Sequence, residues 1–153
     1  MENKMQQKTV GRLDVRRYMG LWYEIARYDH RFERGMSDVT AEYTLRENGM
    51  ISVVNSGTKD GKRHVARGKA KMPDKSQPGR LKVSFFLWFY SDYYILELAE
   101  DYSYVLIGSS SDKYLWVLSR TPQLGETPKN FLLSRAQQRG YDTSKLLWVE
   151  QSR

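Results

Sequence analysis

Between residues 39 and 120 the chain repeats one pattern: a short run of alternating apolar and polar residues, then a turn signal. Residues 39–46 put Ala41, Tyr43 and Leu45 on one side and Glu42, Thr44 and Arg46 on the other. That period of two marks a half-buried strand. Asn48-Gly49 follows, the dipeptide suited to a tight hairpin whose central positions need positive φ. Residues 50–56 turn Ile51, Val53 and Asn55 inward, and Lys59-Asp60-Gly61-Lys62 reverses the chain again. Residues 64–72 carry Ala66, Gly68 and Ala70 on one face and Val65, Arg67, Lys69 and Lys71 on the other. Residues 80–86 set Leu81, Val83 and Phe85 against Lys82 and Ser84.

Three more strands are predicted at 93–99, 102–109 and 114–120, and one precedes the series at 22–28. In 93–99 the parity is ambiguous: Tyr94, Leu96 and Leu98 make one apolar face, Tyr93 and Ile95 part of another. In 22–28, alternation groups Trp22, Ala26 and Tyr28 with Glu24 between them. Eight strands with short turns form an up-and-down meander, which removes its exposed edges by closing on itself. After residue 120 the period changes. Thr127 is the expected N-cap, Pro128 the first helical residue and Gly140 the stop. Phe131, Leu132, Leu133 and Ala136 are the packing residues between them. Leu146-Leu147-Trp148-Val149 reads as a last short strand. The expected fold is therefore all-β: an eight-stranded antiparallel up-and-down β-barrel, with a C-terminal helix packed outside. Residues 1–12 are polar and expected to be a flexible segment, and 13–153 form one domain.

A chain of 153 residues suffices for one such domain. Its 11 Tyr and 4 Trp suit a sheet or an aromatic-lined pocket better than a helical bundle. The net charge of +7 attracts anions and serves solubility equally. The absence of cysteine removes disulfides, thiolate catalysis and cysteine metal sites. His30 and His64 make no His-x-x-x-His pair, and no Gly-x-Ser-x-Gly or phosphate loop occurs, so no enzyme, metal or cofactor is expected. The first twenty residues hold no apolar leader. Either the protein is cytoplasmic or a leader has been removed ahead of it.

Gly20-Leu21-Trp22 at the first strand, Asp101-Tyr102 at the turn between the sixth and seventh, and Arg120 closing the eighth resemble the three ordered motifs of the lipocalins. The run from Trp22 through Gly35, and Leu81-Lys82-Val83-Ser84-Phe85-Phe86, resemble in particular the bacterial outer-membrane lipocalins related to apolipoprotein D. Glu100 stands where the family usually has threonine. The resemblance spans roughly 13–151. It implies a binding, storage or transport protein for a small hydrophobic or amphipathic ligand, and a location in the cell envelope, periplasm or outer membrane. Members of the group usually carry a lipid-modified cysteine, which is not in this sequence.

The resemblance also implies that Arg120 stacks over Trp22 at the closed end, so that Gly20, Trp22, Asp101, Tyr102 and Arg120 are structural. Alternation and resemblance together place Tyr28, Tyr43, Val53, Ala66, Gly68, Val83, Phe85, Tyr104, Tyr114 and Trp116 around a cavity. The competing reading is a solid core. The small residues Ala66, Gly68 and Ala70 argue for space. The loops 30–38, 58–62, 86–92 and 110–113 would ring the mouth. There Arg31, Arg34, Lys59, Lys62 and Arg63 suit an anionic head group, that of a fatty acid or lysophospholipid. Aromatic residues 86–90, Trp88 among them, would grip an acyl chain, meet a membrane surface or form a homodimer contact. The alternative is a nucleic-acid-binding barrel that uses Arg67, Lys69 and Lys71 with aromatic stacking. A five-stranded barrel of that kind leaves three strands and all three motifs unexplained.

Overall fold

The structure, a computed structural model, describes residues 7–86 and 89–152, and only the backbone of Phe86 and Phe89. A four-residue helix, α1 (Val15–Tyr18), leads into β1 (Gly20–Tyr28). Asp14 caps it by accepting from the amides of Arg16 and Arg17. There follow β2 (Ser37–Leu45), β3 (Ile51–Lys59), β4 (Lys62–Lys71) and β5 (Arg80–Phe86). Then come β6 (Phe89–Leu98), β7 (Tyr104–Gly108) and β8 (Trp116–Ser119). The helix α2 (Glu126–Gln138) and the short β9 (Leu146–Trp148) complete the chain. Each strand pairs antiparallel with the next, and β1 pairs with both β8 and β2, which closes the eight-stranded barrel.

Register shifts interrupt β1, β2, β5 and β6, and those in β1 and β6 change which of the side chains read from sequence face inward. In β1, Glu24 pairs with Leu118 but Ala26 pairs with Val117, so Ile25 is the extra residue. An extra residue reverses parity beyond it. Trp22, Glu24 and Arg27 therefore face the lumen, while Ala26 and Tyr28 face outward, contrary to simple alternation from Trp22. In β6 the shift falls between Ile95 and Glu97. Tyr93 and Ile95 face inward before it and Leu98 after it, while Leu96 packs outside. Tyr94 and Leu96 belong to the outer layer, and the bulge returns Leu98 to the inner face of Tyr93 and Ile95.

The apolar residues accordingly form two layers. Trp22, Tyr43, Ile51, Val53, Ala70, Leu81, Ile95, Val105 and Ile107 fill the lower barrel with Tyr18. Ile25, Leu96, Leu106, Val117, Leu132 and Ala136 form the layer between the barrel and α2. The helix starts two residues earlier than expected. Gly125, not Thr127, is its N-cap and makes no side-chain capping bond, and Pro128 is the third helical residue. Residues 7–10 are not a loose segment: Val10 donates its amide to the Ile95 carbonyl, Arg80 donates to the Gln7 carbonyl, and the Gln7 amide donates to the Tyr141 hydroxyl. Residues 1–6 lie outside the described residues.

β1 and β2 pair only from Gly20–Tyr43 to Tyr23–Thr40. Above that they part, and the last residues fill the seam. β9 pairs with β1 at 26–28, and Gln151 donates to the carbonyls of Glu24 on β1 and Val39 on β2, both at 2.9 Å. Asp38, held at φ 49°, accepts from Ser152 and donates its own amide to the Glu150 carbonyl.

Candidate functional site

The barrel has one closed end. The guanidinium carbon of Arg120 lies 3.8 Å from the centre of the Trp22 ring system. The same group donates to the carbonyls of Arg17 at 2.7 Å, Leu21 at 2.9 Å and Tyr102 at 3.3 Å. These carbonyls belong to the helix, strand and turn that meet there, so one planar cation ties three segments together. The Trp22 indole donates to the Tyr18 carbonyl. Tyr102 receives the Asp14 amide on its hydroxyl and carries the Arg17 guanidinium over its ring, while Asp101 accepts from the Ser103 amide.

Above this floor sits a chain of phenols. Tyr18 and Tyr43 both hydrogen-bond to the Tyr93 hydroxyl, at 2.6 and 2.8 Å. Burial raises the pKa of all three, so they remain neutral. The space enclosed by Tyr18, Tyr43, Ile51, Ala70, Leu81, Val83 and Tyr93 is only about 10 Å³. The lower lumen is packed.

The upper lumen is polar on one side. Arg27, 1% exposed, donates to Glu24 and Asp29 at 3.0 Å each and to the Glu33 carbonyl at 2.8 Å. Glu33 comes from the β1–β2 loop and accepts from His30 Nε2 at 2.6 Å and Trp116 Nε1 at 3.0 Å. His30 in turn meets Tyr114 and Trp116 edge-on, and those two rings stack on each other. The loop is thus pinned over the mouth. Burial alone would lower the Arg27 pKa, but the carboxylates around it raise it. Burial first, and then the neighbouring Glu33 charge, push Glu24 well above the carboxylate range. Burial acts on Glu33 in the same direction, but hydrogen bonds from His30, Glu24 and Trp116 outweigh it and hold Glu33 at about 2. The two carboxyls are thus driven in opposite directions, Glu24 up and Glu33 down. The sequence offered one signal of this cluster, a carboxylate and an arginine on a buried strand; the bulge that turns Arg27 inward beside Glu24 was not visible in it.

Of the cavity residues named from sequence, Val53 and Val83 belong to the inner wall, Tyr43 to the floor, and Tyr114 and Trp116 to the mouth. Tyr28 and Tyr104 are corrections. Tyr28 lies beyond the β1 bulge, packs edge-on to Tyr141 and donates to the Asp142 carbonyl outside the barrel. Tyr104 pairs with Ser119, two residues from the outward Val117, and meets Phe131 of α2. Gly68 does not leave space for a ligand, because the Phe85 ring fills it: a Cβ there would stand 2.7 Å from Phe85 Cδ1. Ala66 pairs with Asn55 on the inner side but is exposed, because β4 pairs with β5 only at 69–71 and the upper β3–β4 hairpin rises clear. Trp88 lies outside the described residues.

The rim cations do share one end. Lys59 lies against Gly35, Arg63 donates to the Asp38 carbonyl, Arg34 reaches Asp29 at 3.8 Å and Arg31 stacks over Phe32. Lys59, Lys62 and Arg63 are exposed.

The lipocalin-like domain model matches residues 13–151. The outer membrane lipoprotein Blc of Escherichia coli (strain K12) is 43% identical over 144 residues, covering 93% of this chain and 81% of that protein. Apolipoprotein D of Mus musculus is 34% identical over 149 residues, covering 91% and 77%. Insecticyanin from the tobacco hornworm Manduca sexta superposes with a TM-score of 0.82 at 21% identity, covering 99% of this chain and 87% of that one, a likeness of fold. With its eight-stranded barrel, its Arg120–Trp22 clamp and these relatives, the chain belongs to the lipocalin family, known for binding small hydrophobic ligands.

Proposed function

We propose that this protein is a non-enzymatic carrier for an amphiphile with one acyl chain and an anionic head, a fatty acid or lysophospholipid. One observation carries the reading: inward positions are sealed at one end and open at the other. Trp22, Ile51 and Val53 are at most 4% exposed, whereas Ala66 is exposed and Phe85 is 36% exposed. An acyl chain entering beside Ala66 and Phe85 would reach Val83 and Trp116, and the rim cations Arg31, Arg34, Lys59, Lys62 and Arg63 would meet the head group. With the floor already packed, the ligand occupies the upper half of the barrel. The outer membrane relatives support a place in the cell envelope and a role in its lipid maintenance. Homodimerisation or membrane contact through 86–90 belongs to the same proposal.

Titration of purified protein with oleate and lysophosphatidylglycerol, followed by tryptophan fluorescence, tests it. Saturable quenching through Trp116 is expected. Quenching by neutral sterols or haem but by neither anionic amphiphile would overturn the reading.

A further inference from the structure

A groove of about 540 Å³ opens on the barrel wall. It lies along the seam between β4 and β5, which pair only through Lys69–Ser84, Ala70–Val83 and Lys71–Lys82. Met50 and Phe85 line it with apolar surface, and Arg46, Arg67 and Lys69 line it with charge. No carboxylate is among its lining residues. Arg46 donates to Ser52, and among the described residues none of the three cations has a carboxylate within ion-pair distance. Arg27, Lys82, Arg135 and Arg139, by contrast, meet acids.

The charge continues beyond the groove. Outward positions of β4 run from Arg63 through Val65, 51% exposed, to Lys71, a line of roughly 26 Å at 3.3 Å per residue. Lys71 lies 4.2 Å over the Tyr90 ring on β6. Basic residues along a strand serve to discourage edge pairing. That role does not account for Arg46, which comes from the β2–β3 turn into a concave, partly apolar site.

We propose that this wall is a docking surface for an anionic phospholipid leaflet. The complementarity is of charge and of layer. Guanidinium forks suit phosphodiester oxygens. Val65 adds exposed apolar surface among the cations. The barrel lies on its side, so the mouth opens along the leaflet instead of into it. A nucleic acid has the same charge, but its bases need open aromatic faces, and Tyr90 is covered by Lys71.

Co-sedimentation of the whole chain with vesicles tests the proposal. Binding is expected to phosphatidylcholine mixed with phosphatidylglycerol, not to phosphatidylcholine alone, and to fade as salt is raised. Arg46→Gln, Arg67→Gln and Lys69→Gln should each weaken it about five-fold, and together about a hundred-fold. Arg16→Gln, Lys75→Gln and Lys145→Gln combined, which remove the same charge from exposed sites elsewhere, should leave it within about three-fold. Absence of binding by the unaltered protein, or equal losses in the two triple variants, overturns the proposal. Tighter binding of a single-stranded oligonucleotide with the same dependence on Arg46, Arg67 and Lys69 also overturns it, in favour of nucleic acid. Because these side chains are exposed, circular dichroism should be unchanged in every variant, and the single substitutions decide the matter if a triple variant misfolds.

Discussion

The Phe85 ring occupies the space that a side chain at position 68 would need: a Cβ on Gly68 would stand 2.7 Å from Phe85 Cδ1 and 2.5 Å from the Ser84 carbonyl oxygen. Because the second neighbour is backbone, a rotamer change cannot relieve the clash. Gly68→Ala should therefore destabilise the fold by about 1–3 kcal/mol, as overpacking does, and lower the melting temperature. A melting temperature equal to that of the parent would show that the seam is loose.

Arg120→Ala removes a cation–π contact and three hydrogen bonds to carbonyls of separate segments. A loss of about 2–3 kcal/mol is expected, measured by urea unfolding. Amphiphile affinity per folded molecule should stay the same, since the packed phenol layer lies between the clamp and the mouth. Weaker binding at full stability would mean that the clamp belongs to the ligand site.

The sequence made the barrel legible because its hairpins are punctuated by turn residues such as Asn48-Gly49 and because strands such as β3 and β4 alternate without interruption. The clamp was legible through the resemblance of Gly20-Leu21-Trp22 and Arg120 to the lipocalin motifs. The lumen was not, and the cause is local. Ile25 and Leu96 each add one residue to a strand, and one added residue exchanges inside for outside. Tyr28 moved to the helix side for that reason, and Arg27 took the inward place. The short β4–β5 pairing, which exposes Ala66, depends on register between strands and leaves no mark in either strand alone.

Glu24 and Glu33 should respond oppositely to pH. Glu33 is held down at about 2, so the stability it contributes is present above its unfolded value of about 4.3 and is lost as pH falls toward 2. Glu24 is raised, so its contribution is present below about 4.3 and is lost as pH rises toward its folded value. Glu24→Gln mimics the protonated form and should cost less than about 1 kcal/mol at neutral pH. Glu33→Ala leaves His30 and Trp116 without their acceptor and should cost about 2–4 kcal/mol. Chemical denaturation of both variants between acid and neutral pH checks the order; a costlier Glu24→Gln would assign the charge to the wrong carboxylate.

Gln151→Ala should open the seam between β1 and β2 without unfolding the barrel. Two hydrogen bonds to opposite strands are lost, about 1–2 kcal/mol. Hydrogen exchange should quicken at the Val149 and Asp38 amides, which bond to Ile25 and Glu150 across the same seam. Unchanged exchange there would show that β9 alone holds the wall.

Because residues 146–152 seal a wall begun by residues 20–28, the container cannot be finished in the order in which it is made. A ribosome releases β1 and β2 early, yet the edges that their upper halves turn toward each other have no partner until the last strap has emerged. The β3–β4 and β5–β6 hairpins can form in passing, since their contacts are local. The closing step waits for almost the whole chain, and a nascent barrel remains split along one side throughout its synthesis.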